Sequence, residues 1–195
     1  MNEVHKEMAD VVIALASKDV RALTVAIDGV DGVGKTMFAN HLGAQLRDRG
    51  LTVHRPSIDD FHHPREHRYR RGRSSAVGYY EDSFDQAAFA RLVLDPLEPD
   101  GEGLMRLRHH DVATDDYLDE PPVQVLATDV LVVDGVFLQS PALRDRWGLV
   151  IFLDAPFETT VARAIDRDAG TSPSDRQMEE RLARERYVPG QRLYL

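Results

Sequence analysis

The sequence predicts an α/β fold of three layers, in which a mainly parallel sheet has helices on both faces. Apolar runs of strand length alternate along the chain with segments of helix length, which is typical of such folds. The chain has 195 residues, enough for one domain that buries roughly 70 % of its unfolded surface. Because no internal repeat or low-complexity linker interrupts the pattern, a single domain over residues 1–195 is predicted.

The elements follow from apolar runs and from capping residues. Strands are predicted over residues 23–28, 52–57, 129–134 and 149–154, with a weaker pattern over 104–109. Helices are predicted over 35–49, which Gly50 ends, and over 85–94, 156–168 and 175–186. An amphipathic helix is predicted over residues 1–20, and loops over 64–78, 96–103 and 169–174.

Several carboxylates follow the predicted strands. Asp28, Asp134 and Asp154 end strands, and Asp59 comes shortly after another. In open parallel sheets the ligand binds beyond the carboxyl ends of the strands. We therefore expect these carboxylates to converge on one site.

Composition excludes several classes of function. The chain has 24 basic and 33 acidic residues, a formal net charge of −9, which argues against broad binding of nucleic acid. It has no cysteine, so a disulfide framework, a thiolate metal site and a cysteine nucleophile are excluded. The apolar stretch 11–16 is too short for a signal peptide or a membrane anchor. A cytoplasmic protein without a membrane partner is predicted, and homo-oligomerisation is left open.

A glycine-rich segment follows the first predicted strand. Gly29, four residues, Gly34, Lys35 and Thr36 form the Walker A pattern, between a strand and a helix. Glycines let backbone N–H groups face phosphate oxygens, the lysine reaches the β- and γ-phosphates, and the hydroxyl ligates Mg²⁺. The predicted nucleotide-binding residues of this loop are Gly29, Val30, Asp31, Gly32, Val33, Gly34, Lys35, Thr36 and Met37.

Two further carboxylate positions belong to this chemistry. Asp134 ends an apolar strand and is the Walker B candidate, so Thr36 and Asp134 are the predicted Mg²⁺ ligands. Asp59 or Asp60 follows the second strand, where a carboxylate can orient or deprotonate an acceptor hydroxyl. No Asn-Lys pair occurs in the chain, which argues against a GTPase.

Five short segments carry a resemblance to a known family. They are residues 28–36, Asp-Asp-Phe-His at 59–62, Tyr-Glu-Asp-Ser-Phe-Asp at 80–85, Val-Asp-Gly-Val-Phe-Leu at 133–138 and Arg-Ala-Ile-Asp-Arg-Asp at 163–168. Over roughly residues 22–190 the chain resembles the uridine kinase family, within the wider group that includes phosphoribulokinase and pantothenate kinase. The resemblance implies a P-loop NTPase fold of the nucleoside and nucleotide kinase type. It also implies ATP with Mg²⁺ as donor and a small-molecule hydroxyl as acceptor.

The resemblance also implies roles for individual residues. It favours Asp59 over Asp60 as the catalytic carboxylate, beside Lys35, and it directs Arg163 and Arg167 at the ATP phosphates. It implies an acceptor-binding region over residues 57–84 and a lid over 163–180. The predicted acceptor-binding residues are Asp59, Phe61, His62, Tyr79, Asp82, His110, Asp115 and the lid candidate Arg176.

The chain departs from the family on the acceptor side. Tyr79 stands where uridine kinases carry a sugar-binding aspartate, and Asp82 is a neighbouring substitute. His110 and Asp115 stand where the family has the tyrosine and histidine that recognise the pyrimidine. The resemblance makes a nucleoside the first acceptor hypothesis. Because a site with different hydrogen-bonding groups rejects the original ligand, a sugar, sugar phosphate or pantothenate-like alcohol is the alternative.

Other features leave further alternatives open. Five arginines within residues 65–73 could bind an anionic acceptor or form a solvated loop surface. The pairs His62-His63 and His109-His110 lack a third zinc ligand at a suitable spacing. The chain stops at Leu195, where family members continue into a strand and an adenine-contacting loop. A non-catalytic nucleotide-binding module is therefore the hypothesis from a second functional class.

Overall fold

The computed structural model describes residues 2–18, 21–170 and 172–195. Predictions that fall on Met1, Asp19, Val20 or Thr171 lie outside the described residues. The helices are α1 (Asn2–Ala16), α2 (Lys35–Asp48), α3 (Arg65–Arg68), α4 (Ala76–Asp82), α5 (Gln86–Phe89), α6 (Phe157–Asp168), α7 (Pro173–Leu182) and α8 (Val188–Tyr194). The strands are β1 (Leu23–Gly29), β2 (Val53–His54), β3 (Leu104–Met105), β4 (His110–Asp111), β5 (Asp116–Tyr117), β6 (Val123–Gln124), β7 (Val130–Asp134) and β8 (Leu149–Leu153).

A parallel sheet forms the middle layer. Its strand order is β2-β7-β1-β8, and each neighbouring pair is parallel. Alternate residues of β1 and β7 point to opposite faces, and both faces are buried. Val25 and Ile27 pack with α1 and α2, whereas Leu131 and Val133 pack with an aromatic core on the other side. The predicted three-layer α/β fold is confirmed.

The strand register brings the predicted site residues to one edge. Ile27 pairs with Asp134, and Gly29 pairs with Leu153. An isolated parallel bridge joins Ser57 to Asp134 and continues the β2–β7 pairing beyond β2. The phosphate loop, the end of β7 and the segment before Asp59 therefore meet at the carboxyl ends of the strands.

Part of the predicted secondary structure is wrong. The segment 104–109 is not a strand of the parallel sheet, because β3 pairs with β6 in a separate antiparallel pair. The N–H groups of Arg106 and His109 donate instead to the carbonyls of Leu92 and Asp60. The second strand is also shorter than predicted, since regular pairing of β2 covers Val53–His54.

Two predicted helices change type along their length, and one predicted loop is partly helical. α5 and α7 pass into π-helical turns at Ala90–Leu94 and Ala183–Tyr187. The predicted loop 64–78 contains α3 and the first residues of α4, which Ser75 caps by accepting from the Gly78 N–H. In the described ranges, no helix has the length and apolar character needed to span a membrane.

Candidate active site

The phosphate loop connects β1 to α2. Gly29, Gly32 and Gly34 have φ values of 144°, 75° and 102°, which L residues rarely adopt. An added Cβ at Gly34 would meet no atom within 4 Å, so this part of the loop is open. Val30 is buried and supports the loop, whereas Met37 points outward with 60 % of its surface exposed. The loop is thus open at Gly34, directly before the first turn of α2.

Gly32 lies directly against α6. A Cβ at this position would lie 2.0 Å from the carbonyl oxygen of Thr160 and 3.2 Å from the nitrogen of Ala164. Real Cβ atoms do not approach backbone this closely, so only glycine fits here. The contact fixes the phosphate loop against the helix that carries Arg163 and Arg167.

Lys35 lies under the loop, surrounded by acidic groups. Its Nζ donates a hydrogen bond of 2.8 Å to the Val30 carbonyl, and the residue is buried. Burial lowers the pKa of Lys35, and nearby carboxylates act in the opposite direction. Those carboxylates belong to Asp31, Asp59, Asp28 and Asp134. Three of the four predicted strand-end carboxylates therefore surround this lysine, whereas Asp154 is exposed beyond β8.

Thr36 and Asp134 are in contact. The threonine hydroxyl donates to Asp134 Oδ2 at 2.6 Å. Arg55 binds the other carboxylate oxygen, Oδ1, at 2.8 Å and also donates to the Val132 carbonyl at 2.6 Å. A hydroxyl and a carboxylate are hard oxygen donors of the kind that Mg²⁺ takes together with substrate phosphates. The pair fits a magnesium ion, and Arg55 orients the carboxylate.

Asp59 and Asp60 have different surroundings. Asp59 sits in the 3₁₀ turn Ile58–Phe61, and the residue is exposed. Asp60 is held by Arg108, whose Nε donates to Asp60 Oδ1 at 3.0 Å. Desolvation by the surrounding protein raises the pKa of Asp59 to about 6, although Lys35 opposes the rise. Of the two candidates, Asp59 is the carboxylate without an arginine partner among the described residues.

The C-terminal helix α8 contacts the phosphate loop from the side. Gln191 Oε1 accepts a hydrogen bond of 2.6 Å from the Asp31 N–H. The hydroxyl of Tyr194 donates to Asp28, a fully buried carboxylate that also accepts from Gln139 Nε2 at 3.2 Å and from the Gly29 N–H at 2.7 Å. Helix α8 therefore holds Asp28, just before the loop, and Asp31, within it.

We expect Tyr194→Phe to lower the free energy of unfolding by about 1–3 kcal/mol, because a buried carboxylate loses a donor. Urea unfolding followed by circular dichroism measures the change. Tyr80→Phe is the matched control, since the Tyr80 hydroxyl makes no hydrogen bond within the described ranges and its ring lies 6.1 Å from that of Tyr194. Equal losses in both variants would contradict a special role for the bond to Asp28.

The predicted lid arginines occupy three different environments. Arg167 reaches the phosphate loop, where its NH1 and NH2 donate to the two carboxylate oxygens of Asp31 at 3.1 and 3.2 Å. Arg163, one turn earlier on α6, is exposed and makes no ion pair in the described part of the chain. Arg176 pairs with Asp166 at 2.8 Å and with Glu180 at 3.4 Å. Arg167 is thus at the loop, Arg163 is free to approach a ligand, and Arg176 ties α7 to α6.

Two of the predicted acceptor residues near Asp59 are buried aromatic residues, Phe61 and Tyr79. Phe61 is fully buried, with its ring edge against Phe89 at 5.0 Å. Tyr79 packs edge-on against Phe137 and Tyr187, at centroid distances of 5.2 and 5.0 Å. Burial raises the pKa of Tyr79, and the charge of Asp59 adds to the rise. Phe61 therefore anchors the turn that carries Asp59 in the hydrophobic core. Tyr79 is a buried aromatic residue near Asp59.

Three further predicted acceptor residues lie close to one another or to arginines. Asp115, at φ 68°, accepts from the Arg65 N–H at 2.8 Å and from Arg68 NH2 at 3.3 Å. His110 Nε2 lies 3.4 Å from the same carboxylate, and the His110 side chain is fully buried. Asp82 is also fully buried and forms ion pairs with Arg70 and Arg71. Much of the charge of the arginine-rich segment is therefore neutralised within the protein.

Sequence reasoning missed several residues of the site. Arg55, Gln139, Gln191 and Tyr194 contact Asp134, Asp28 or the phosphate loop. Arg186 is buried and donates to the carbonyls of Arg73 and Ser75 at the edge of the acceptor region. Arg55 directly follows β2, whose carboxyl end lies at the same edge of the sheet as the site. This position is the one indication of its role in the sequence. The others act across long stretches of sequence and left no local pattern. Within the described ranges, no group of three or more histidine or acidic side chains is arranged to hold a metal ion.

Comparison with known proteins supports a kinase class. No protein-family model matches the chain, and no curated protein is significantly similar to it. A possible uridine kinase from Bacillus stearothermophilus matches with a TM-score of 0.69 and 25 % identity, over 97 % of this chain and 92 % of that one. A candidate fructose transport system kinase from Silicibacter sp. TM1040 matches with a TM-score of 0.71 and 23 % identity, over 93 % and 92 %.

A more distant structure has the same fold. The D-glycerate 3-kinase of Cryptococcus neoformans matches with a TM-score of 0.68 and 13 % identity, over 98 % of this chain and 88 % of that one. The fold and the glycine-rich loop between β1 and α2 are those of the P-loop kinase class. Within that class, the chain has the uridine kinase-like P-loop kinase fold, and its structural relatives support a phosphotransferase.

Proposed function

We propose that the protein transfers the terminal phosphoryl group of ATP to a hydroxyl of a small metabolite. The observation that carries this proposal is the open carboxylate of Asp59 beside the phosphate loop. Its charge acts on Lys35, whereas the neighbouring Asp60 is engaged by Arg108. A carboxylate at this position orients the acceptor hydroxyl and takes its proton as the oxygen bonds to the transferred phosphorus.

The other residues bind and neutralise the phosphates. Lys35 and the loop N–H groups hold phosphate oxygens, and Arg163 and Arg167 approach them from α6. Thr36 and Asp134 hold Mg²⁺, which neutralises charge on the phosphates when bound. We assign acceptor binding to residues 57–84 and the lid to residues 163–180 in a single domain.

From the family resemblance, the first candidate for the acceptor is a nucleoside. The second candidate is a non-nucleoside acceptor, namely a sugar, a sugar phosphate or a pantothenate-like alcohol. The second candidate is favoured by the contact of His110 with Asp115 and by the pairing of Asp115 with Arg68. These groups would replace the pyrimidine-recognising pair of uridine kinases, and here His110 Nε2 lies 3.4 Å from the Asp115 carboxylate. Structural relatives of similar TM-score carry the names of a possible uridine kinase and a candidate fructose transport system kinase.

The proposal is tested by incubating the full chain with Mg²⁺ and ATP and a panel of nucleosides, sugars, sugar phosphates and vitamin alcohols. We expect ADP release that depends on one acceptor class, with a phosphorylated product detected by mass spectrometry. Tight ATP binding without any phosphorylated product would contradict the proposal and favour a nucleotide-binding module that lacks transfer activity.

The rate of transfer should depend on pH through Asp59. The pKa of this carboxyl is raised to about 6, and only the deprotonated form accepts a proton. We therefore expect kcat/KM for the acceptor to fall about tenfold for each pH unit below about 6 and to level off above it. A profile that stays flat between pH 5 and pH 7 would argue against proton acceptance by Asp59.

A further inference from the structure

Asp31 is an acidic residue inside the phosphate loop, and its carboxylate accepts hydrogen bonds from two neighbours. Oδ1 accepts from the Gly32 N–H at 2.8 Å and from Arg167 NH1 at 3.1 Å, and Oδ2 accepts from Arg167 NH2 at 3.2 Å. The guanidinium therefore faces both oxygens of one carboxylate. Arginine binds phosphate groups in the same two-point geometry.

The proposed function assigns these same donors to the phosphates of ATP. Loop N–H groups hold phosphate oxygens, and Arg167 approaches them from α6. An N–H that donates to the Asp31 carboxylate is not available to a phosphate oxygen at the same time. The Asp31 carboxylate and a phosphate group therefore compete for Gly32 and Arg167.

Asp168 engages the other side of the Arg167 side chain. Nε donates to Asp168 Oδ1 and NH2 donates to Oδ2, both at 2.6 Å. Together with the bonds to Asp31, these contacts use nearly all the N–H donors of the guanidinium. Because the donors that face the loop are those bound to Asp31, Arg167 can bind a phosphate there only after the Asp31 carboxylate has moved away.

The main chain of Asp31 is fixed, but its side chain can turn. The Asp31 N–H donates to Gln191 Oε1 at 2.6 Å, and the next residue, Gly32, is packed against the Thr160 carbonyl oxygen. By contrast, 24 % of the Asp31 side chain is exposed to solvent. Rotation about its Cα–Cβ bond would move the carboxylate into water without displacing the loop. Release of Arg167 therefore requires a side-chain movement alone.

Asp31 also acts on the second cation of the phosphate site, Lys35. Burial lowers the pKa of Lys35, and of the carboxylates that oppose this change Asp31 has the strongest effect. The negative charge of Asp31 thus acts on both Lys35 and Arg167, the side chains that the proposed function gives to the phosphates. Its carboxylate therefore opposes polyphosphate binding at two points.

We propose that Asp31 forms an autoinhibitory contact, in which its carboxylate holds Arg167 and the Gly32 N–H until the phosphates of a nucleotide displace it. The proposal rests on the proposed function, because it concerns the phosphate donors of that site. When only part of a population is competent to bind, the apparent affinity falls by that fraction. The contact thus lowers the affinity for polyphosphates and makes Arg167 available only when phosphates are in the loop.

The affinity for phosphates measures this competition directly. Asp31→Asn removes the charge and keeps an oxygen that can accept from the Gly32 N–H. Calorimetric titration of the full chain should show that the Kd values of inorganic tripolyphosphate and of Mg-ATP both fall about fivefold. Asp31→Ala, which removes the acceptor as well, should lower both values at least as much.

Asp168→Asn is the matched control, because it removes one negative charge from the same arginine without touching the loop. Arg167 then stays bound to Asp31, so the Kd of tripolyphosphate should not fall by more than about twofold. A double-mutant cycle with Arg167→Gln separates release of the arginine from simple charge repulsion. In the Arg167→Gln background, the gain from Asp31→Asn should shrink to less than about twofold.

Several results would overturn the proposal. An unchanged or higher Kd in Asp31→Asn, an equal gain in Asp168→Asn, or a gain that persists in full without Arg167 would each do so. Tripolyphosphate binding needs no acceptor, so it is independent of catalysis. The expected gain without phosphoryl transfer to any acceptor would refute the proposed kinase activity and leave the autoinhibitory contact intact. Phosphoryl transfer with an unchanged Kd in Asp31→Asn would refute the contact alone, and a chain that binds no polyphosphate would refute both.

Discussion

Changing Asp59 to asparagine is expected to lower kcat for phosphoryl transfer by about 100- to 10 000-fold, the usual contribution of a general base. Asparagine has nearly the same shape but cannot accept the proton of the acceptor hydroxyl. The Kd for Mg-ATP should change by less than about threefold, because the loop and Thr36 remain intact. Steady-state kinetics and isothermal titration calorimetry measure the two quantities.

Asp60→Asn is the matched control for this variant. Asp60 is adjacent in sequence, but its carboxylate is engaged by Arg108 at 3.0 Å. We expect kcat to stay within about threefold of the wild-type value. A large loss of transfer in Asp60→Asn with activity retained in Asp59→Asn would reverse the assignment of the two carboxylates.

The same Asp59 variant should stabilise the fold. The pKa of this carboxyl is about 6 in the folded protein and has a reference value of 3.8. The folded state therefore binds the proton more tightly, so stability falls as pH rises from about 4 to 6 and stays lower above it. Because solvent contact screens the charge, we expect Asp59→Asn to gain about 1 kcal/mol at pH 7.5, or roughly 2–4 °C in Tm. The gain should vanish below pH 4, and a less stable variant at pH 7.5 would contradict it.

Replacing Gly32 by alanine is expected to abolish nucleotide binding at millimolar ATP. The new Cβ would lie 2.0 Å from the Thr160 carbonyl oxygen, at a φ of 75°. The left-handed conformation costs an L residue about 1–2 kcal/mol, and overpacking against α6 adds about 1–3 kcal/mol. The loop must therefore leave α6, which separates its N–H groups from Arg167. Calorimetric titration with Mg-ATP measures the loss.

Gly72→Ala separates backbone strain from the clash. Gly72 has a φ of 92°, and an added Cβ would meet nothing within 4 Å. This variant should lose stability by about 1–2 kcal/mol and bind ATP with a Kd close to that of the wild type. If Gly32→Ala also bound ATP normally, the close contact between the loop and α6 would be irrelevant to the nucleotide site.

Local patterns predicted where the glycine-rich loop lies in the fold. A strand, a glycine-rich turn and a helix are adjacent in sequence, so the Walker A pattern carries its own structural context. The meeting of Asp28, Asp134 and the segment before Asp59 also followed from the sequence, since parallel strands present their carboxyl ends at one edge. By contrast, the weak strand over 104–109 failed because the N–H groups of this segment bond to Leu92 and Asp60, which no local pattern reveals.

By itself, the sequence determined the α/β class, the phosphate loop and the carboxylates that follow the strands, because short-range hydrophobic pattern and glycine spacing encode them. Only the tertiary structure decided which of two adjacent aspartates is open, because Arg108 is 48 residues from Asp60. It also decided that Gln191 and Tyr194 support the loop from distances of 160 and 166 residues. Side-chain pairing across such separations depends on how the layers pack. Local sequence patterns do not indicate which distant residues this packing brings together.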